Sequence, residues 1–180
     1  MSFREISPSE IGGNVIDMIG REWMLVTAAK DGAREGDACV STYNTMTASW
    51  GGVGVLWGKP AAFVFIRPER HTYSFAEASD YMTLSFFDGD KKPALSFCGS
   101  KSGRDVDKAA ECSLTPVFTE EDGGVSVYFK EARLVLTLRK LYAAPIEESR
   151  FVDKDCLANY ENSGFHKMYV GEIERVLERE

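Results

Sequence analysis

Asp80-Tyr81-Met82-Thr83-Leu84-Ser85-Phe86-Phe87 alternates side chains in twos, Met82, Leu84 and Phe86 against Tyr81, Thr83, Ser85 and Phe87. A period of two is the signature of a β-strand, because successive side chains there point to opposite faces. The pattern recurs on both sides. Ala61-Ala62-Phe63-Val64-Phe65-Ile66 is a short continuous apolar run, as a strand buried on both faces shows. Glu22 to Ala29 reads as a strand rich in apolar residues. Ser126 to Phe129 and Ala132 to Leu141 lie close enough to pair, with Leu134, Leu136 and Leu138 on one face. Lys167 to Leu177 closes the chain as a half-exposed strand.

Helical signals are fewer. Thr72 to Ala78 reads as a helix with Phe75 and Ala78 inward, and Lys92 to Phe97 as one short turn begun near Pro93. Asp105 is the expected N-cap of a helix reaching Cys112, with Val106, Ala109 and Ala110 on one side. Strands in succession with small helices between them predict a mainly β protein, a compact antiparallel barrel with peripheral helices, and not alternating βαβ units. The chain has 180 residues. With no repeat, no low-complexity segment and no linker long enough to separate a pair of cores, it reads as a single domain over 1–180.

The net charge of −7 argues against tracking a phosphate backbone and against an anionic lipid surface. Neither nucleic acid nor membrane is therefore expected as a partner. No apolar stretch reaches the roughly 20 residues of a membrane helix, and Met1-Ser2-Phe3-Arg4-Glu5 lacks the features of a signal peptide. The four cysteines, Cys39, Cys98, Cys112 and Cys156, show no metal-binding or short disulfide spacing, so reduced, mostly buried thiols in a cytoplasmic protein are expected. The two histidines, His71 and His166, form no cluster suited to a metal, and no serine lies in a nucleophile elbow. Neither a metal site nor a side-chain catalyst is expected. Gly51-Gly52-Val53-Gly54 and Gly99-Ser100-Lys101-Ser102-Gly103 both lack the frames of the common nucleotide-binding loops.

Three segments carry chemistry. Asn44-Thr45-Met46-Thr47-Ala48-Ser49-Trp50-Gly51 offers small side chains, hydroxyls and accessible peptide groups, suited to a flat heteroaromatic edge or to a polar strand with a bulge. Arg67-Pro68-Glu69-Arg70-His71-Thr72 places two arginines at a helix start, suited to a phosphate dianion or to a solvated turn with Glu69 or Glu77 as partner. Phe97-Cys98-Gly99-Ser100-Lys101-Ser102-Gly103-Arg104 is a glycine-bracketed loop with free amides, hydroxyls and an ammonium, or a turn with Lys101 exposed. His166 reads as a surface or satisfied histidine, and Cys98 as a small buried hydrophobe with no resolving cysteine nearby in sequence.

In this order the segments resemble the flavin reductase-like, FMN-binding split-barrel family, in particular its flavoredoxin branch. The likeness rests on Tyr43 to Gly51, on Trp57-Gly58-Lys59-Pro60 and on Arg67 to Tyr73. It continues through Leu95 to Asp105 and the closing Met168-Tyr169-Val170-Gly171-Glu172-Ile173, so that it runs from about Trp23 almost to the C-terminus. The resemblance implies a split β-barrel homodimer with FMN, in preference to FAD, bound noncovalently near the subunit interface. By that likeness Asn44, Thr45, Met46, Thr47, Ala48 and Ser49 line the flavin ring and ribityl chain, and Trp50 lies over the phosphate end. Arg67, Arg70 and Thr72 would hold the phosphate, and Ser100, Lys101 and Ser102 would approach from the loop, with Lys101 supplying charge near N1 and O2.

The implied chemistry is electron transfer through the flavin, from a reduced nicotinamide (NADH or NADPH, bound transiently) or a protein donor to a flavin, metal or protein acceptor. The alternatives are an FMN electron carrier without nicotinamide turnover and a small-ligand barrel that has lost flavin. Two features depart from the family pattern: His71 stands where an aromatic, usually tyrosine, is familiar, and Asp31 to Thr42 is a long turn before Asn44.

Overall fold

The computed structural model describes residues 2–30 and 42–180. The long turn expected at 31–42 lies outside the described residues except for Thr42, and so does Cys39. The described residues form ten strands: β1 (Phe3–Ile6), β2 (Met24–Ala29), β3 (Tyr43–Ala48), β4 (Gly51–Leu56), β5 (Lys59–Ile66), β6 (Tyr81–Phe86), β7 (Pro116–Glu121), β8 (Gly124–Phe129), β9 (Leu134–Pro145) and β10 (Lys167–Arg179). Eight of them make one sheet in the order β3-β2-β6-β9-β10-β5-β4, with β1 added beside β10. Every pairing in it is antiparallel.

The long strands β9 and β10 pair through two register shifts, at Val170/Gly171 and Ile173/Arg175. Bulges of this kind bend a strand and let a sheet curl toward closure. Gly171 is needed at the first of them, because a Cβ there would stand 2.8 Å from the Leu138 Cβ.

Two cores lie on opposite faces of the central strands. Met24, Val26, Met46, Val64, Ile66, Met82, Leu84, Phe86, Leu136, Leu138 and Tyr169 fill the interior of the barrel. Leu25, Tyr43, Phe87, Leu95, Cys98, Val127, Phe129 and Val135 form a second core. It is roofed by the separate β7–β8 hairpin and by two helices. Every residue of β6 is consequently buried, on both faces.

The β2, β6 and β9 signals and the shared face of Leu134, Leu136 and Leu138 read directly as structure, but several local expectations are corrected. Ser126 to Phe129 pairs with β7, while β9 pairs with β6 and β10. The β7 partner has a polar, mixed pattern that conceals it in the sequence. In β5, Phe63 and Phe65 are only half-buried, and Phe65 borders a cavity instead of a second layer.

Helix α1 (His71–Ala78) starts one residue earlier than expected and buries Thr72, Phe75 and Ala76, leaving Ala78 exposed. Positions i, i+3 and i+4 share a helix face, which Thr72 sets. Helix α2 (Lys92–Ser100) runs three residues beyond the expected turn. Helix α3 is short (Lys108–Glu111) and is capped by Asp107, whose carboxylate accepts from the Ala109 and Ala110 N–H groups; Asp105 lies outside it. The register of that cap places Lys108 at the first helical position.

Candidate functional site

Strand β3 stands at one end of the sheet order and, among the described residues, pairs only with β2. The peptide groups along its other edge are therefore not consumed by a neighbouring strand. Helices α1 and α2 are fastened beside it by side chains of the strand itself. The Thr47 hydroxyl donates to the Leu95 carbonyl of α2, and Asn44 Nδ2 donates to Thr72 Oγ1 of α1 at 2.7 Å. Gly99 packs so close that an added Cβ would meet the Thr47 Cβ at 3.3 Å. At Gly103 an added Cβ would fall 1.9 Å from Asn44 Oδ1, so the loop following α2 approaches the strand to a distance only glycine permits. Asn44 thus gathers strand, helix start and loop at one point.

Two cavities open along this edge. The smaller, about 190 Å³, is bordered by Arg70, His71, Thr72, the loop Gly99 to Arg104 and Lys108. The larger, about 500 Å³, is bordered by Met46, Thr47, Ala48, Ser49, Trp50, Phe65, Arg67, Arg70 and the Asn162, Ser163 and His166 side chains. Arg70 and Glu69 form the wall common to both.

The smaller cavity is electrostatically incomplete. Lys108 is only 5% exposed. Its ammonium donates to the Thr45 and Cys98 carbonyls, each at 2.8 Å. Arg70 donates to the same Cys98 carbonyl at 3.4 Å. That oxygen belongs to the last turn of α2, where helix carbonyls lack partners within the helix and the dipole favours cations. No carboxylate among the described residues pairs with Arg70 or Lys108. Burial, with the nearby Arg70 guanidinium adding to it, pushes Lys108 down to about 8. Burial likewise lowers Arg70, with Arg67 contributing. His71 is lowered by burial and by the cations Arg104, Lys108 and Lys30, so it adds little positive charge at neutral pH. Glu69, the carboxylate bordering both cavities, is lowered by hydrogen bonds from its own backbone N–H and from the Gly164 N–H.

The larger cavity is built differently. Arg67 is committed to the segment that covers it: Nε donates to His166 Nε2 at 3.3 Å, Nη2 to the Asn159 carbonyl at 3.1 Å, and Nη1 to Ser163 Oγ. With Nε2 accepting, the His166 proton sits on Nδ1, 3.2 Å from the Tyr160 hydroxyl. Burial, reinforced by Arg67, pulls His166 down to about 4, so the ring is neutral at physiological pH. Trp50 leans on it with ring centroids 5.1 Å apart.

The sequence-derived residues therefore divide between the two cavities. Thr72, Ser100, Lys101 and Ser102 border the small one, whereas Met46, Thr47, Ala48, Ser49, Trp50 and Arg67 border the large one. Arg70 borders both. Thr45 turns its hydroxyl to Thr27 and the Val26 carbonyl and contributes its own carbonyl to Lys108. Trp50, which the resemblance puts over a phosphate end, stands in the larger cavity with His166.

Lys108, Phe65, Asn162, Ser163 and His166 escaped the sequence reading as site residues. For Lys108 a signal existed, since an N-cap at Asp107 turns the next side chain back along the preceding loop. For His166 none did, because Arg67 lies 99 residues away in the chain.

A phosphorylated planar ligand suits this arrangement. One buried and one half-buried cation without a paired carboxylate, with the hydroxyls of Thr72 and the loop, fit a dianion, and the open β3 edge with the half-apolar larger cavity fits a ring. Among the described residues no three His, Cys, Asp or Glu side chains converge as a metal ion would need, and no helix is long and apolar enough to cross a membrane.

Comparison with known proteins identifies the fold. Solved structures with the same fold include flavoredoxin of Desulfovibrio vulgaris (Miyazaki F), at 23% identity and a TM-score of 0.64, covering 88% of this chain and 69% of that one. An FMN-binding domain of a flavin reductases-like enzyme from Shewanella baltica OS155 matches at 14% identity and a TM-score of 0.63, covering 98% and 77%. An NADH:FAD oxidoreductase of Streptomyces globisporus, solved with NAD and FAD fragments, matches at 14% identity and a TM-score of 0.58, covering 88% and 76%. No curated protein sequence matches significantly. A putative flavin reductase from Shewanella frigidimarina NCIMB 400, described as having a split barrel domain, matches at a TM-score of 0.60. The mainly β architecture described above is that split barrel. The model of the flavin reductase like domain matches residues 17–180, nearly the whole chain, and the chain belongs to that family.

Proposed function

We propose that this protein is an FMN-binding oxidoreductase that takes electrons from a reduced nicotinamide and passes them to a flavin, metal or protein acceptor. The observation that carries the reading is the small cavity in which half-buried Arg70 and buried Lys108 stand without a carboxylate partner, joined to the β3 edge by the hydrogen bond from Lys108 to the Thr45 carbonyl. The phosphate of FMN would be held there by Arg70, Lys108, Thr72, Ser100 and Ser102, with Lys101 and Arg104 at the rim. Its ring would lie along Thr45 to Ser49. Flavin supplies the hydride and electron chemistry itself, so the protein needs no triad or metal for it.

The chain's own contribution is placement. Asn44 fixes strand, helix and loop; Lys108 holds the Thr45 carbonyl and with it the strand edge; Thr47 fastens α2. Trp50, Phe65 and the neutral His166 form the wall against which a nicotinamide would stack. Arg67, committed to His166 and Ser163, holds that wall in position.

A homodimer belongs to the same proposal. Val55 and Trp57 at the β4–β5 turn are 75% and 61% exposed, and Tyr142, against which Trp57 packs edge to face, is 48% exposed. Light scattering that returned twice the chain mass, and a single chain mass for Trp57→Glu, would bear this out.

The decisive test is the visible spectrum of the purified protein with FMN, followed anaerobically as NADH and then NADPH is added. Bleaching of the flavin bands by either nucleotide is the expected result. Bands that persist with both, and bleach with a reduced protein donor, would make the chain an electron carrier without nicotinamide turnover. No flavin band after addition of FMN would overturn the proposal.

A further inference from the structure

In the second core, Cys98 Sγ lies 3.9 Å from Cys112 Sγ. The two thiols are fourteen positions apart, Cys98 within the second core and Cys112 packed against it. Both sulfurs face α2: Cys98 belongs to it, and Cys112 also approaches the Ala94 carbonyl at 3.7 Å. Cys98 is completely buried, whereas Cys112 is partly open to solvent at the end of the single-turn helix α3. The residue after it, Ser113, has φ of +51°, so the helix end is already unwound.

A disulfide has its sulfurs about 2.05 Å apart, and closing this gap requires each side chain to move by roughly 1 Å. Between the two cysteines runs the segment from Gly99 to Glu111, the end of α2, the loop after it and α3, with Ser100, Lys101, Ser102, Arg104 and Lys108 on it.

We propose that Cys98 and Cys112 are an oxidation site, a dithiol that closes to a disulfide with a small disulfide as oxidant, and that closure ties the loop 99–111 into a ring. Cys112, the partly exposed thiol, attacks the small disulfide as its thiolate. One sulfur of the reagent joins Cys112 and the other leaves as a thiolate. Cys98 then gives its proton to a departing thiolate and attacks the Cys112 sulfur, releasing the second thiol. The net change is two cysteine thiols and one small disulfide becoming one protein disulfide and two small thiols. The two electrons and two protons go to the reagent.

Burial raises both thiols, Cys98 up to about 12 and Cys112 in the same direction. The exchange is accordingly slow compared with that of an exposed cysteine, and the product, sealed in the core, is slow to reduce. A crosslink across this loop removes conformational freedom from the segment bearing the anion-facing groups. That consequence for a ligand rests on the function proposed above; the crosslink itself does not.

The experiment uses the full chain carrying Cys39→Ser and Cys156→Ser, incubated with oxidised glutathione, then alkylated, digested and mapped by mass spectrometry. The expected result is a peptide pair joined through Cys98 and Cys112, lighter by two hydrogens. Slower amide exchange across 99–111 and severalfold tighter FMN binding than in the reduced protein are expected with it. Cys112→Ser, at a partly exposed position, should fold, give only a trace of mixed disulfide and bind FMN as the reduced protein does. Glutathione stably attached to Cys112 with Cys98 unreacted would overturn the site. A crosslink that left amide exchange in 99–111 unchanged would overturn the ring restraint. A crosslink with slowed exchange but no change in FMN binding would refute the ligand consequence and count against the phosphate reading of the loop.

Discussion

Replacing Lys108 by methionine separates the charge at the bottom of the small cavity from the volume that fills it. Lys108 sits at about 8 in the folded protein against an ordinary 10.5. That gap corresponds to about 3 kcal/mol, the cost of keeping an ammonium there without an anion. A bound phosphate dianion cancels the cost and restores the ammonium. On the proposed function, the FMN affinity of the wild type should contain a contribution of the same order, about two decades in Kd.

The sign with pH follows from the same gap. Below about pH 8 the free protein already carries the charge and affinity is flat. Above it each binding event takes up a proton, and Kd rises by up to about tenfold per pH unit until the bound group also titrates. The groups facing Lys108 do not obscure this: Cys98 and Cys112 are raised, His71 is already neutral, and Arg70 stays charged.

Calorimetry from about pH 7 to about pH 9.5, in two buffers of different ionisation enthalpy, reads both affinity and proton uptake. Lys108→Met is expected to bind FMN about 100-fold more weakly at neutral pH and to lose the proton uptake. An affinity within threefold of wild type, or the same pH dependence in the variant, would refute the assignment of Lys108 to the phosphate.

Arg70→Ala should weaken FMN binding more than Arg104→Ala, because Arg70 is half-buried and fixed on the Cys98 carbonyl whereas Arg104 is exposed; fluorescence titration would show it, and equal retention would sink the phosphate assignment. Gly103→Ala drives a methyl into Asn44 and should displace the loop, costing at least tenfold in FMN affinity while lowering the melting temperature only slightly, since the loop lies outside both cores. His166 should remain neutral in an NMR titration down to about pH 5. Its depressed pKa makes the folded state lose stability as pH falls from about 6.5 toward 4, and His166→Gln should flatten that slope in denaturant titrations. Phe75→Ala, at a position 1% exposed in the barrel core, should destabilise the protein by about 3–5 kcal/mol in urea unfolding.

How far the sequence could be read depended on the range of the interaction. Alternation in Met82, Leu84 and Phe86 and in Leu134, Leu136 and Leu138 is a local property, and it identified the barrel strands directly. The β7–β8 hairpin was missed because Pro116 to Glu121 is polar enough to pass for a loop; it is a strand through its pairing with β8, with Phe118 set edge to face on Tyr43 of the second core. The lining of the candidate cavities was legible where its residues are contiguous, as in Met46 to Trp50 and Ser100 to Ser102. Its division into two cavities was not, because Arg67 and Arg70, three residues apart, take partners in different regions of the fold. Lys108 stayed hidden behind a cap assigned two residues too early.

The placement of the two cores has a consequence for how such a protein diversifies. Strand β3 turns Met46 and Ala48 into the barrel and Tyr43 toward the outer layer, so it belongs to both. The barrel side sets whether the chain folds at all. The outer layer, made of short pieces with few partners, sets the position of the loop, α2 and Lys108. Substitutions accumulating in the outer layer can therefore shift the ligand and its reactivity by small steps while the barrel keeps the molecule above its folding threshold. The architecture divides heredity of the fold from exploration of the chemistry, with one strand as the border between them.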